Sequence, residues 1–340
     1  MRELRPGLYG PLPTFFDDDQ ELDLASYREH LAGSLGEGAH LVGWFLFCRR
    51  PDLLRPQIFN SAGYIHQDPS ERRTLIEVTR QTLDDLSLTS TPIVAGVGGL
   101  STRETIRLCR DAAAAGADAG LVILPAYYAA SLNSDQEQIV KYYVDICEAS
   151  PIPLFLYNFP TNAAGLDMSS EVIEKIMRAA PNLCGVKLTC GGSIGKLVRL
   201  KAAQDGFQTT MPTRRFPFLL LDGLIGDLTA WKACGGHGTV SGIPNFAPRA
   251  SVRLWELLNT SSPTHEEVSE RDKLQAVLSR ADAIAVHAGI RAMKFVLHQV
   301  HGYGKAPRRP LLPLNEDEGQ LFLASLSELL ETEREYQKRE

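Results

Sequence analysis

The chain has 340 residues, 44% of them hydrophobic and 22% charged, with a formal net charge of −6. That composition belongs to a globular protein with ample core, long enough for one large α/β domain with an appendage. The acidic balance and the lack of extended lysine or arginine runs argue against a nucleic-acid surface, no apolar run reaches membrane-spanning length, and residues 1–6 lack a signal-peptide hydrophobic region.

Residues 7–16 open with a strand, and a helix follows over residues 24–35. A second strand is expected from residues 39–42, extended to about 40–47, before an apolar but proline-broken segment over residues 43–57. The alternative ends this strand at Ile58-Phe59-Asn60 and lets 43–57 bulge elsewhere. Asp68-Pro69-Ser70-Glu71 combines a cap, a proline at the first helical position and a glutamate at the third, so a helix runs from there to about Leu86. Residues 92–97 read as the third strand, Ser101 opens a helix ending near Gly116, and residues 121–124 form the fourth strand, followed by Pro125-Ala126-Tyr127-Tyr128. Another helix starts at residues 134–137. Residues 153–157 and 184–189 are strands around a helix at 169–177, whose Val172, Ile173, Ile176 and Met177 fall at helical spacing. Residues 208–213 are expected as the seventh strand, 218–234 as a helix, 238–242 as the eighth strand and 248–258 as the last helix of the series.

Eight β-then-α units over about 250 residues predict an α/β fold, a closed (β/α)8 TIM barrel spanning residues 1–260. No GxGxxG opens a first helix, which disfavours a doubly wound open sheet. Residues 264–340 form a C-terminal helical extension, with helices over 268–300 and 321–336, expected to pack on the barrel without catalytic residues of its own. The six cysteines, Cys48, Cys109, Cys147, Cys184, Cys190 and Cys234, form no CxxC pair and read as reduced thiols of a cytoplasmic protein. His298 and His301 alone do not make a metal site, so no metal and no cofactor is expected.

Two residues point to chemistry. Lys187 interrupts the apolar run Cys184-Gly185-Val186-Lys187-Leu188, and Tyr157 ends the preceding strand in Tyr157-Asn158-Phe159-Pro160. In a parallel sheet both project from carboxyl ends of neighbouring strands, where α/β enzymes carry their reactive groups. Desolvation of the lysine favours a neutral amine that attacks a ketone to form a Schiff base, and the phenol can carry protons. The structural alternative is a lysine that reaches solvent from the strand end or pairs with a carboxylate.

Three more strand-end stretches, Asn60-Ser61-Ala62-Gly63, residues 125–128 and residues 238–242, join that pair. Together they resemble the pyruvate-dependent class I aldolase family, which includes dihydrodipicolinate synthase, N-acetylneuraminate lyase and 4-hydroxy-2-oxoglutarate aldolase. The run Gly185-Val186-Lys187-Leu188-Thr189-Cys190-Gly191-Gly192 is similar to that of fungal-type members. The resemblance implies that Lys187 forms the Schiff base and Tyr157 is the acid/base. It implies that Ser61 and the Ala62 amide hold the pyruvate carboxylate, Ser61 also linking Tyr157 to Tyr128. It further implies that Tyr128 reaches a neighbouring subunit's site, and that the Val240 main chain lines the pocket. A small-molecule substrate and a homo-oligomer, commonly a homotetramer, are implied too.

Departures from the family pattern matter. Asn60-Ser61-Ala62-Gly63-Tyr64 stands where relatives carry GTTGE, and residues 161–165 contain no arginine where dihydrodipicolinate synthase grips its acidic aldehyde. The expected reaction is therefore reversible cleavage of a 4-hydroxy-2-oxo acid or a 2-keto-3-deoxy sugar acid to pyruvate and an aldehyde. Dihydrodipicolinate synthase chemistry, with Arg214 or Arg215 as the replacing cation, and a catalytically silent family member are the alternatives.

Overall fold

A computed structural model describes residues 1–35, 57–62, 67–206, 214 and 216–338, residues 57–62 by their backbone alone. Eight parallel strands close into a barrel in sequence order, β8 returning to pair with β1. They are β1 Gly7–Pro13, β2 Gln57–Ala62, β3 Ile93–Gly96, β4 Ala119–Ile123, β5 Leu154–Asn158, β6 Leu183–Leu188, β7 Leu219–Asp222 and β8 Gly238–Val240. In the strands whose side chains are described alternate residues point inward, and Tyr9, Val94, Leu121, Phe155, Leu219 and Leu221 pack there as a solid plug. Gly185 makes room for one of them: a Cβ there would lie 2.4 Å from the Phe155 ring and 2.5 Å from the Leu219 carbonyl oxygen.

A second, larger core fills the layer between strands and helices, drawing on Leu75, Leu108, Ile146, Ile173, Leu200 and Trp231. Helix starts follow their local chemistry. Asp68 and Glu71 form the reciprocal capping box read from the sequence, opening the helix Pro69–Asp85. Ser101 caps Thr102–Ala114 and Ser169 caps Ser170–Ala179.

Two strand assignments are corrected. Residues 40–47 lie outside the described residues, and the second barrel position is filled by β2, paired with β1 through Tyr9–Gln57 and with β3 through Ile58–Ile93. The alternative that ended this strand near Asn60 is the one the barrel adopts. Residues 208–213 also lie outside the described residues, and the seventh strand is Leu219–Asp222, inside the span expected as a helix. Leu219 and Leu221 face the barrel interior while Leu220 packs among the helices. A strand buried on both faces shows no period-two alternation, so its sequence is indistinguishable from the start of a buried helix. The helix that follows is shorter, Leu228–Ala233.

The helix His265–His301 opens on a capping box between Thr264 and Glu267 and ends at left-handed Gly302. Its course breaks at Gly289, whose φ of 64° and ψ of −156° are non-helical. The single expected helix over 321–336 is two, Glu316–Ser325 and Ser327–Lys338. Leu274, Leu278, Phe295, Val296 and Leu297 of the long helix are buried. Two polar clasps join the C-terminal extension to the barrel. Glu333 accepts the Arg249 and Ala250 amides at 3.1 and 2.9 Å, capping the helix Pro248–Leu258, whose own N-cap, Ala247, has no side-chain acceptor. Arg308 holds both carboxylate oxygens of Glu71 at 2.5 and 2.6 Å. Among the described residues no helix is long and apolar enough to cross a membrane. Cys109, Cys147, Cys184, Cys190 and Cys234 are free thiols.

Candidate active site

A cavity of about 530 Å³ opens at the carboxyl ends of the strands, a size suited to a small ligand. Its floor is the inward-facing layer above the plug: Pro11 of β1, Ile123 of β4, Tyr157 of β5, Lys187 of β6 and Val240 of β8. One wall comes from the C-terminal extension. Asp282, Val286, Gly289 and Met293 recur at intervals of three or four along the long helix, and together with Lys294, the next residue after Met293, they line the cavity.

Lys187 and Tyr157 are register partners on β6 and β5. The Lys187 ammonium nitrogen donates to the Tyr157 hydroxyl at 3.2 Å and stands 4.3 Å from its ring centroid. Only 5% of Lys187 is exposed, so it does not reach solvent. Burial pulls its ammonium down to about 7, against the opposing pull of Asp222. That carboxyl is itself pushed well above the usual range by burial. Asp222 pairs in register with Leu188 rather than Lys187, which places it on the outward face of β7, and its Oδ1 accepts the Leu224 amide at 3.2 Å. Lys187 therefore has no carboxylate ion-pair partner among the described residues. Tyr157 is half-buried and stacks on Phe159 with centroids 5.6 Å apart.

The other expected site residues divide. Val240 is buried and lines the cavity. Ser61 and Ala62 are the last two residues of β2, at the correct end of the barrel, with Ala62 in register with Pro13. Their side chains lie outside the described residues, and with them the question of whether the Ser61 hydroxyl meets Tyr157. Tyr128 is not brought to Lys187 within the chain. It sits in the short turn Ala126–Tyr128 after β4, 58% exposed and edge-on to Tyr127, over a shallow surface depression with Leu100 and Tyr142. Arg214 is likewise excluded from the cavity. Its guanidinium donates to the carbonyls of Met177, Ala180 and Leu183. Leu183 begins β6, roughly 13 Å of strand from Lys187 at the other end. Arg215 lies outside the described residues.

Sequence reasoning gave no site role to several polar residues that line the cavity, Thr14, Thr161, Asn162, Thr189, Asp282, Lys294 and Arg308. The Thr189 hydroxyl is buried without a partner among the described residues. Asp282 accepts the Gly226 amide at 2.8 Å, and burial pushes its carboxyl up to about 6. Lys294 had a legible signal: Met293-Lys294-Phe295-Val296-Leu297 is a lysine in an apolar run, as at Lys187. Among the described residues no cluster of three or more His, Cys, Asp or Glu is placed to hold a metal ion.

Residues 64–329 match the dihydrodipicolinate synthetase family. The chain belongs to that family. It is 37% identical over 338 residues to an Emericella nidulans protein named "probable 4-hydroxy-2-oxoglutarate aldolase, mitochondrial", covering 98% of each chain. It is 33% identical over 330 residues to L-threo-3-deoxy-hexylosonate aldolase of Hypocrea jecorina, covering 96% of this chain and 97% of the relative. A solved dihydrodipicolinate synthase family protein from Coccidioides immitis superposes with a TM-score of 0.78 at 28% identity, covering 99% of both chains. Within the family this chain is a class I, Schiff-base lyase that acts on pyruvate or 2-keto acids. The resemblance seen in the Lys187 and Tyr157 motifs is thereby borne out as to family, fold and reaction class.

Proposed function

We propose that Lys187 is the covalent centre and Tyr157 its proton carrier, in the reversible cleavage of a 4-hydroxy-2-oxo acid or 2-keto-3-deoxy sugar acid. The observation that carries this reading is the desolvated Lys187 amine bonded to the Tyr157 hydroxyl at 3.2 Å. The neutral amine attacks the keto carbon, and Tyr157 gives its proton to the carbinolamine hydroxyl, which leaves as water to form a cationic imine beside a phenolate. Tyr157 then takes the proton of the C4 hydroxyl while the C3–C4 bond breaks. Its electrons flow into the imine to give an enamine, and the aldehyde departs. Protonation of C3 and hydrolysis return Lys187 and release pyruvate. Ser61 and the Ala62 amide hold the pyruvate carboxylate at the end of β2, and the Val240 main chain closes the pocket behind it.

The names of the fungal relatives support both substrate types. We further propose that the chain works in a reducing compartment, the cytoplasm, and as a homo-oligomer that covers the exposed Leu100, Tyr127 and Tyr128. Borohydride reduction in the presence of pyruvate is expected to leave a stable adduct on the peptide containing Lys187, and Lys187→Ala to abolish it. An adduct on another lysine, or none at any pyruvate concentration, would sink the mechanism and favour a catalytically silent member.

A further inference from the structure

The cavity holds a second lysine that this mechanism leaves unused. Lys294 is 1% exposed, its ammonium nitrogen has no hydrogen-bond partner among the described residues, and it lines the same cavity as Lys187. The nitrogen stands 5.1 Å from the ring centroids of both Phe15 and Phe16, just beyond β1. In the closed barrel β1 and β6 are separated by β7 and β8, so Lys294 lies across the mouth from Lys187.

The charged groups around it are engaged elsewhere. Arg308 also sits on the Phe16 ring, 4.3 Å from its centroid, but holds Glu71 through both oxygens. Asp23, the carboxylate whose field favours the Lys294 ammonium, accepts the Ser26 amide and hydroxyl at 3.0 and 2.5 Å. Asp282 accepts the Gly226 amide. Burial lowers the Lys294 ammonium to about 8, which still leaves most of it charged at neutral pH. Two aromatic faces recover only part of the cost of burying an unpaired ammonium. A cation held this way in a cavity is matched to an anionic ligand that completes its solvation.

We propose that Lys294 is a second substrate-binding lysine, which receives a carboxylate of the 2-keto acid bound at Lys187. This rests on the Schiff-base reading above. The carboxylate is either the one beside the keto carbon, which Lys294 then shares with Ser61 and the Ala62 amide at the end of β2 next to β1, or one carried by the aldehyde half.

The test uses the full chain with Lys294→Met and Lys294→Arg. One readout is the pyruvate concentration that half-saturates borohydride trapping at Lys187. The other is the preference for glyoxylate, a charged aldehyde, over uncharged glyceraldehyde in condensation with pyruvate. If the keto-acid carboxylate is the ligand, Lys294→Met raises the half-saturating pyruvate at least tenfold. If the aldehyde half supplies it, trapping is unchanged and the glyoxylate preference falls at least tenfold. Lys294→Arg recovers part of either loss, which a purely structural lysine would not predict. A folded Lys294→Met protein in which neither number moves twofold overturns the proposal. Should that variant fail to fold, acetylation of Lys294 in the wild-type protein decides. Lactate or malate, at concentrations that compete with pyruvate trapping, must slow it, and absence of protection by both overturns the inference. Failure of wild-type trapping at Lys187 removes the Schiff-base reading itself, whereas normal trapping with unmoved Lys294 variants removes only this assignment.

Discussion

To act as the proposed nucleophile Lys187 must lose its proton before it attacks a ketone, and its environment moves that event into the working range. Burial brings the ammonium to about 7, while an unfolded lysine titrates near 10.4. Turnover at limiting pyruvate is therefore expected to rise through about pH 7, measured as kcat/KM against pH in the presence of constant salt. A profile flat from pH 6 to 8 would contradict a titrating amine. The same shift bears on stability. Between pH 7 and 10.4 the unfolded chain binds a proton at this lysine that the native chain does not, so stability rises with pH in that window. The burden is complete below about pH 7 and absent above about pH 10.4. Lys187→Met should be more stable than wild type by a few kcal/mol at pH 6, with the gap closing as pH approaches 10, read from urea denaturation. Tyr157→Phe removes the hydroxyl bonded to Lys187 but leaves the apolar ring on Phe159. Turnover should fall by about 10²–10⁴ while the pyruvate adduct still forms. Turnover unchanged in Tyr157→Phe would rule Tyr157 out as the proton carrier.

Among the elements, the long helix His265–His301 decides the shape of the cavity, and its break at Gly289 is where backbone chemistry dominates. A Cβ at Gly289 would meet nothing within 4 Å, yet φ 64° and ψ −156° lie in a region that residues with side chains avoid. Gly289→Ala should thus cost about 1–3 kcal/mol through the backbone alone. Because Gly289 lines the cavity, pyruvate KM should rise with it. A neutral substitution in a thermal melt would show that the helix straightens without penalty. Glu333 tests the other junction. It caps the helix Pro248–Leu258 from 83 residues downstream and lies 3.5 Å from buried Arg249. Glu333→Ala leaves two helix amides and a buried guanidinium without that carboxylate, and a loss of about 3–5 kcal/mol is expected in denaturant unfolding. A loss below 1 kcal/mol would show that water replaces the carboxylate freely.

At the scale of the whole molecule, the extension and the barrel share one core and one cavity. A chain ended at residue 260 would expose the surface that Leu274, Leu278, Val296 and Leu297 cover, and would remove Asp282 and Lys294 from the cavity wall. It is expected to aggregate or to give no Lys187 adduct, and a soluble truncation that traps pyruvate with unchanged concentration dependence would refute this coupling. The barrel itself was readable locally, because caps such as Asp68 and Ser101, apolar runs and helical spacing are written within a few residues of the element they specify. Lys187 and Tyr157 were readable for the same reason. Each ends a short apolar strand, and a single intervening helix brings those strands together. Leu219–Asp222 escaped local reading because a strand buried on both faces carries no alternation. Tyr128 could be placed near a strand end from its neighbours, but nothing local said that it would face solvent rather than Lys187. Lys294 and Phe15 are 279 positions apart, and no pattern near either reports the other. Their meeting depends on closure of β8 onto β1 and on the long helix packing across the mouth, so the second lysine of the cavity is placed there only once the chain has folded.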